Sequence, residues 1–427
     1  MIKLKSPILI RHIALPLLFV TIVIIVAVLV LVRVAKEQGT YKIAHIYGDS
    51  SVMDGITISG TIIDANHKTS FTWQDAQVES ETEVYSNRQK DKVYRYFRGL
   101  FRPINDYYYY VYNFPDRGFF IERGTLTDGN WKTLDTVVLD IPVKRLVQEN
   151  NNVWEFSIEN TYGLTEAEGD VYFTLTSPPK YKGMNGIYRL NFDQWEQETE
   201  PIMTFNLNNT SVEEETGTAV LGLESVNDIL ALILVKDNAL VIEGYQTNGA
   251  KLGEIVLSPF IFEHINAEFA DEDTLARYEV RYEAYSQEET GVLSLSFNSD
   301  QSHRTIVTLQ RSEDELKLID ITEITKEDDL LREHGDNEHG ERFITYKDGR
   351  LYYVGVFHEY IDKEGYALDN MSPIRLLIRV YEQGNIVYTD ELLTDVNDDL
   401  LRVNQYDLSH YNYDRAEYRN FYNLYIH

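Results

Sequence analysis

The sequence predicts a mainly β protein: one N-terminal transmembrane helix followed by a β-propeller-like domain, with tandem β-sandwiches as the alternative. Three observations carry this. An uncharged run, Ile13 to Val32, has only two members that are not apolar, Pro16 and Thr21. The remainder is rich in tyrosine (31 in the chain) and phenylalanine (18), which favour strands. Short alternating runs recur along it, separated by Gly, Asn and Asp turn signals.

The apolar run comes first. At 1.5 Å per helical residue its length matches the roughly 30 Å hydrocarbon core of a bilayer. It is longer than the usual signal-peptide core of about 7–15 residues. The flank Val32-Arg33-Val34-Ala35-Lys36 offers no small-x-small cleavage site. An uncleaved anchor is therefore expected. Lys3, Lys5 and Arg11 precede the run, and Arg33, Lys36 and Lys42 follow it, so flanking charge does not choose an orientation. Long domains are exported largely regardless of that charge. The expected layout is a cytoplasmic tail (1–12), a span (13–32), a juxtamembrane stalk (33–47) and an extracytoplasmic domain (48–427). The expected location is the cell membrane, as a single-pass protein whose first partner is the lipid bilayer.

Strands are expected over Tyr107–Tyr112, Val153–Ile158, Asp170–Thr176, Ile187–Phe192, Ile229–Val235, Ala239–Tyr245, Leu293–Phe297, Thr305–Leu309, Arg350–Phe357 and Ile374–Tyr381. Lys236-Asp237-Asn238, Thr247-Asn248-Gly249, Lys347-Asp348-Gly349 and Glu382-Gln383-Gly384-Asn385 supply turn chemistry. Helical patterns are scarce; Glu263–Arg277 and the tail from Tyr411 are the candidates. One unit recurs. Leu240–Tyr245, a turn at Gly249 and Ile255–Leu257 match Leu376–Tyr381, a turn at Gly384 and Ile386–Tyr388. Tyr245 and Tyr381 lie 136 residues apart, and Tyr112 lies 133 residues before Tyr245, near three repeats of about 45 each. Seven or eight four-stranded blades of that size would fill the body. The tail, from Tyr406 to Tyr425, is expected to pack on the body and close the ring.

The stretch Gly48-Asp49-Ser50-Ser51-Val52-Met53-Asp54-Gly55-Ile56-Thr57-Ile58-Ser59-Gly60 resembles one in uncharacterised single-pass, membrane-anchored exported proteins of Gram-positive bacteria. The resemblance implies an anchored extracytoplasmic architecture and supplies no activity.

Charge narrows the partners. The net charge is −30, and residues 1–42 carry six basic and one acidic side chain, so the body carries about −35. That excludes nucleic acid, whose binding rests on Lys and Arg neutralising phosphate. It opposes a body lying broadly along an anionic lipid surface. With no cysteine, disulfides, thiol nucleophiles and thiolate metal sites are excluded.

No complete catalytic pattern is present. There is no Gly-x-Ser-x-Gly elbow, and His358-Glu359-Tyr360-Ile361 is followed by Asp362 rather than a second zinc-binding histidine. Gly244–Gly249 with Lys251 imitates a phosphate loop but sits in an expected hairpin. Thr125–Trp131 reads as an Asp-Gly hairpin. Metal candidates are His334, Asp336 and His339, which combine imidazole and carboxylate, and Asp395, Asn397 and Asp399, which could offer oxygens to calcium. The plainer reading of both is a solvated acidic loop, so no cofactor is expected, with calcium as the alternative. Tyr108, Tyr110 and Tyr112 would share one strand face and Tyr107 and Tyr109 the other. Tyrosine suits packing between layers and also suits a sugar or peptide platform.

The expected function is a non-enzymatic, membrane-tethered module that binds a partner outside the cell, such as a membrane or cell-envelope protein. The alternatives are a cell-surface glycan hydrolase on the same scaffold and a sensory or accessory subunit of a membrane complex.

Overall fold

The computed structural model describes residues 7–38, 41–63, 67–75, 77–84, 101–114, 118–127, 130–145, 160–177, 181–192, 200–208, 218–237, 239–260, 282–300, 303–312, 315–324, 342–360, 371–394 and 420–427. It opens on one helix, α1 (Pro7–Gln38). The side chains of residues 15–30 of α1 are described, and all are exposed. Among the described residues no helix is long and apolar enough to cross a membrane. That described stretch falls short of the about 20 residues a bilayer core requires. The expected span, 13–32, extends beyond it at both ends. The stretch expected as a stalk is helix to Gln38, and strand β1 (Tyr41–Gly48) follows after two residues.

Among the described residues the body is mainly strands, grouped in six antiparallel sheets in chain order. The first holds β2 (Thr57–Ile63), β3 (His67–Gln74) and β4 (Gln77–Val84). The second holds β5 (Phe101–Ile104), β6 (Tyr107–Phe114), β7 (Gly118–Thr127) and β8 (Asn130–Leu139). In the third, β10 (Leu164–Ala167), β11 (Asp170–Phe173), β12 (Tyr181–Leu190) and β13 (Pro201–Asn208) run in order, and β9 (Val143–Arg145) pairs with β12. The fourth holds β14 (Thr218–Val226), β15 (Ile229–Lys236), β16 (Ala239–Gln246) and β17 (Lys251–Leu257). The fifth holds β18 (Tyr282–Gln287), β19 (Val292–Asp300), β20 (His303–Ser312) and β21 (Glu315–Ile324). The sixth holds β22 (Arg342–Lys347), β23 (Arg350–Tyr360), β24 (Met371–Glu382) and β25 (Asn385–Thr394), with β1 added outside β25. The last strand, β26 (Asn420–Ile426), returns to pair with β2 and completes the first sheet. The tail does close the structure, but over Asn420–Ile426 it does so as a strand rather than as the expected helix.

Apolar side chains explain the stacking. Five buried clusters join the second sheet to the third, the third to the fourth, the fourth to the fifth, the fifth to the sixth, and the sixth to the first. The fourth sheet lies between two neighbours. Leu230, Leu232 and Leu234 of β15 pack toward the third sheet, while Ile229, Ala231 and Ile233 pack toward the fifth. A strand buried on both faces needs an unbroken apolar sequence, which β15 has. The first strands of successive sheets (β5, β10, β14, β18, β22) and then β26 also touch in sequence. Consecutive four-stranded meanders with their first strands gathered together make the body propeller-like.

Six such sheets, rather than seven or eight, account for the described residues. Tyr245 and Tyr381 both lie on third strands, β16 and β24, so their 136-residue separation spans two sheets of about 68 residues. Tyr112 lies on a second strand, β6, and is not their equivalent. Two of the expected turns, at Asp348-Gly349 and Gln383-Gly384, are two-residue hairpins, and Thr247–Gly249 lies in the longer connection between β16 and β17. At Asp348-Gly349 both residues take positive φ, 51° and 80°, the geometry whose twist matches the flanking strands. The strand expected at Val153–Ile158, the helix expected at Glu263–Arg277, and both metal candidates lie outside the described residues.

Candidate functional site

The tyrosine run falls on β6, and the alternation holds. Tyr109 and Val111 are buried in the cluster shared with the third sheet. Tyr108, Tyr110 and Tyr112 take the opposite face and are half-buried. There they join aromatics from the three other strands of the sheet. Trp131 packs on Phe101 (centroids 4.6 Å), Phe101 on Tyr110 (5.3 Å), Tyr110 on Tyr112 (5.4 Å) and Tyr112 on Phe120 (5.2 Å, 9° between planes). Glu122 ties this row. Its Oε1 accepts from the Tyr112 hydroxyl at 2.8 Å, and its Oε2 accepts from Trp131 Nε1 at 3.2 Å and from Thr133 Oγ1 at 2.9 Å. Burial, and then the bond to Glu122, push the Tyr112 hydroxyl up to about 12. Gly124 makes the row feasible: a Cβ there would lie 2.6 Å from the Trp131 ring.

Chemically this face offers ring surface, the hydroxyls of Tyr108, Tyr110 and Tyr112, and one carboxylate whose two oxygens are both engaged. It suits recognition by stacking. The sequence pointed to the three tyrosines. It did not point to Phe101, Phe120, Trp131 or Glu122, which come from neighbouring strands and need the register to be known.

A second constellation sits among the first strands. Arg102 Nη2 of β5 donates to Glu224 Oε2 of β14 at 2.7 Å, and the Tyr282 hydroxyl of β18 donates to Glu224 Oε1 at 2.9 Å. Glu224 is 4% exposed. Burial pushes its carboxyl up, against the pull of Arg102 and Tyr282. On β18, Glu283 accepts from Tyr285 (2.9 Å), Arg304 (3.2 Å) and Arg342 (3.4 Å). The Glu283 side chain is 45% exposed; desolvation by its neighbours raises its carboxyl, but Arg342, Arg304 and Tyr285 outweigh that and hold the carboxyl below the usual range. Two carboxylates on adjacent first strands are thus driven in opposite directions. Sequence alone could not single them out among 69 acids.

Lys251, the lysine of the phosphate-loop imitation, lies in the β16–β17 hairpin and binds Glu243 at 3.1 Å and Glu254 at 2.7 Å. The stretch is the expected hairpin. Among the described residues no group of three His, Cys, Asp or Glu side chains is placed to hold a metal.

No protein-family model matches the chain, and no curated protein matches it. Solved structures show only a faint likeness to it, at TM-scores well under 0.5. The periplasmic gluconolactonase of Pseudomonas aeruginosa is 8% identical, covers 79% of this chain and 96% of its own, and gives a TM-score of 0.32. The β-propeller domain of Vanderwaltozyma polyspora Nup133 is 10% identical, with 83% and 97% covered and a TM-score of 0.26. A GH43 glycoside hydrolase is 8% identical, with 79% and 94% covered and a TM-score of 0.26. At such scores the likeness carries nothing about activity.

Proposed function

We propose that this chain is a membrane-tethered, extracytoplasmic binding module, anchored by α1 in the manner of the exported Gram-positive proteins its Gly48–Gly60 stretch resembles. One observation carries the proposal. The large apolar side chains between Leu15 and Val30 stand 49–75% exposed. Sheltering what these thirteen side chains still expose is worth on the order of 10–20 kcal/mol, about half of the 1.5–3 kcal/mol each would gain from full exposure. A bilayer supplies that shelter, and the apolar sequence continues to Ile13 and Val32 on either side. The aromatic row around Tyr108, Tyr110 and Tyr112 is the ligand face, suited to the flat face of a sugar or an aromatic-bearing peptide.

Protease added to protoplasts should degrade the body while the protein stays with the membrane through alkaline carbonate extraction. A body that is protected, or a protein that is extracted, rejects the proposal.

A second reading, a glycan hydrolase, has the opposite pKa shifts of Glu224 and Glu283 in its favour, since two carboxyls pushed apart are what acid–base work requires. Against it, both oxygens of Glu224 are occupied by Arg102 and Tyr282. Release of reducing sugar from cell-wall polysaccharide that disappears in both Glu224→Gln and Glu283→Gln would favour the hydrolase.

A further inference from the structure

The sequence leads one to expect a stalk between anchor and body, and the structure has almost none. Residues 33–38 of α1 add about 9 Å beyond the apolar run. The three peptide steps from Gln38 to Tyr41 reach at most about 11 Å. β1 is then fixed at once, from Tyr41↔Thr394 to Gly48↔Tyr388. The start of β1 is thus held within about 20 Å of the end of the apolar run, and the headgroup layer occupies about 5–8 Å of that.

The composition of this edge matches what it would meet. Ile46 is 48% exposed and Tyr47 is 57% exposed. Leu393, opposite Lys42 on β25, is 40% exposed. Tyr41–Gly48 itself contains Lys42 and no acid, with Arg33, Lys36 and Glu37 before it and Asp49 after it, and β4, which carries Glu79, Glu81 and Glu83, lies against both α1 and β1. Tyrosine, aliphatic side chains and lysine together are the composition of a membrane–water interface. The edge is also unsuited to another strand. The register skips Ile46 between His45↔Asp390 and Tyr47↔Thr389, and such a bulge on an edge strand discourages pairing with a further chain.

We propose that β1 is an interfacial strip that seats the sixth sheet on the phospholipid surface. Ile46, Tyr47 and Leu393 enter the headgroup region and Lys42 meets phosphate. The proposal rests on α1 being the anchor. It makes the body a platform of fixed height and tilt rather than a domain swinging on a tether.

The chain has no cysteine, so single substitutions can be labelled without background. Ile46→Cys, Tyr47→Cys and Val23→Cys would carry bimane, as would Met184→Cys on the third sheet, 43% exposed, as a reference. The full chain would be reconstituted in phosphatidylcholine vesicles containing nitroxide lipids, labelled on either the headgroup or the acyl chain. The expected result is loss of most emission at 46 and 47 with headgroup nitroxide, at 23 with acyl-chain nitroxide, and little loss at 184. A Leu393→Cys label should lose its headgroup quenching when I46E and Y47E are added, while Val23→Cys keeps its own. Quenching at 23 without quenching at 46 and 47 overturns the strip and leaves the anchor standing. No quenching at 23 overturns the anchor and the strip together. Self-quenching between copies at 47 without lipid quenching overturns the strip in favour of a dimer edge.

Discussion

Glu243 offers a sharp test of how the fourth sheet is held. It lies on β16, 5% exposed, and accepts from Lys236 Nζ at 2.8 Å, Lys251 Nζ at 3.1 Å and the Tyr245 hydroxyl at 2.6 Å. Burial raises its carboxyl, but the bonds from Lys236, Tyr245 and Lys251 outweigh that and hold it at about 2 against an ordinary 4.5. Each tenfold change in proton affinity is worth about 1.4 kcal/mol, so this gap corresponds to about 3 kcal/mol. That is a ceiling, because the two lysine side chains are 38% and 42% exposed and therefore screened. A carboxyl whose folded pKa is depressed contributes its full stability above the unfolded value and loses it as pH falls through the folded one. Glu243→Gln should therefore destabilise the protein by up to about 3 kcal/mol at pH 7. The deficit relative to wild type should hold down to about pH 5 and shrink to near zero by about pH 2. Urea unfolding of the full chain in detergent, followed by tryptophan fluorescence at a series of pH values, measures it. A deficit unchanged at pH 2.5, or already gone at pH 6, refutes the reasoning.

Three further outcomes are expected. Arg102→Ala leaves Glu224 buried without its cation and should cost about 3–5 kcal/mol; adding Glu224→Gln should recover part of that in thermal melts, and strict additivity of the two would disprove the pairing. Phe421→Ala empties a site that is 1% exposed in β26 and should cost about 3–5 kcal/mol, with faster hydrogen exchange in β2 as its local signature. Gly124→Ala should displace the Trp131 ring, which near-ultraviolet circular dichroism reports, and destabilise by about 1–3 kcal/mol; an unchanged aromatic spectrum would contradict the packing described.

Much of this fold can be read from local chemistry. Strands such as Ala239–Gln246 and Arg350–Tyr360 declare themselves because Leu, β-branched and aromatic residues dominate them and Asp-Asn or Asp-Gly turn signals stand just before them. The alternation of Tyr108, Tyr110 and Tyr112 against Tyr109 is likewise geometric. The number of sheets was not legible, because a repeat near 45 residues assumes short connections, while the stretches joining these sheets are long and uneven. Nor was β1, whose Tyr-Lys-Ile-Ala-His-Ile-Tyr-Gly sequence looks like a tether until its partner Asn385–Thr394, some 340 residues away, is known. The site was legible only in its first member. Glu122 and Trp131 gain meaning from the register of β7 and β8, and Arg102 gains its partner Glu224 from 122 residues away.

The pairing of β26 with β2 has a consequence in time. Asn420 becomes available 357 residues after Ile63. At about 5–20 residues per second, synthesis leaves one edge of β2 without its partner for roughly 20–70 seconds. During that interval the nascent chain carries an open strand edge beside Ile58, Ile62, Phe71 and Trp73, which are buried in the finished structure. The other face of the same strand bears Thr57, Ser59 and Thr61. Those hydroxyls keep half of the waiting edge hydrophilic, a safeguard against association with neighbouring chains. Replacing Ser59 and Thr61 with valine removes the Thr61 Oγ1 bond to the Tyr422 carbonyl at 3.1 Å and the Ser59 contact with His427 at 3.4 Å, so it should cost the mature protein about 1 kcal/mol and lower its yield by more than that loss explains, separating what the folded molecule needs from what its assembly needs.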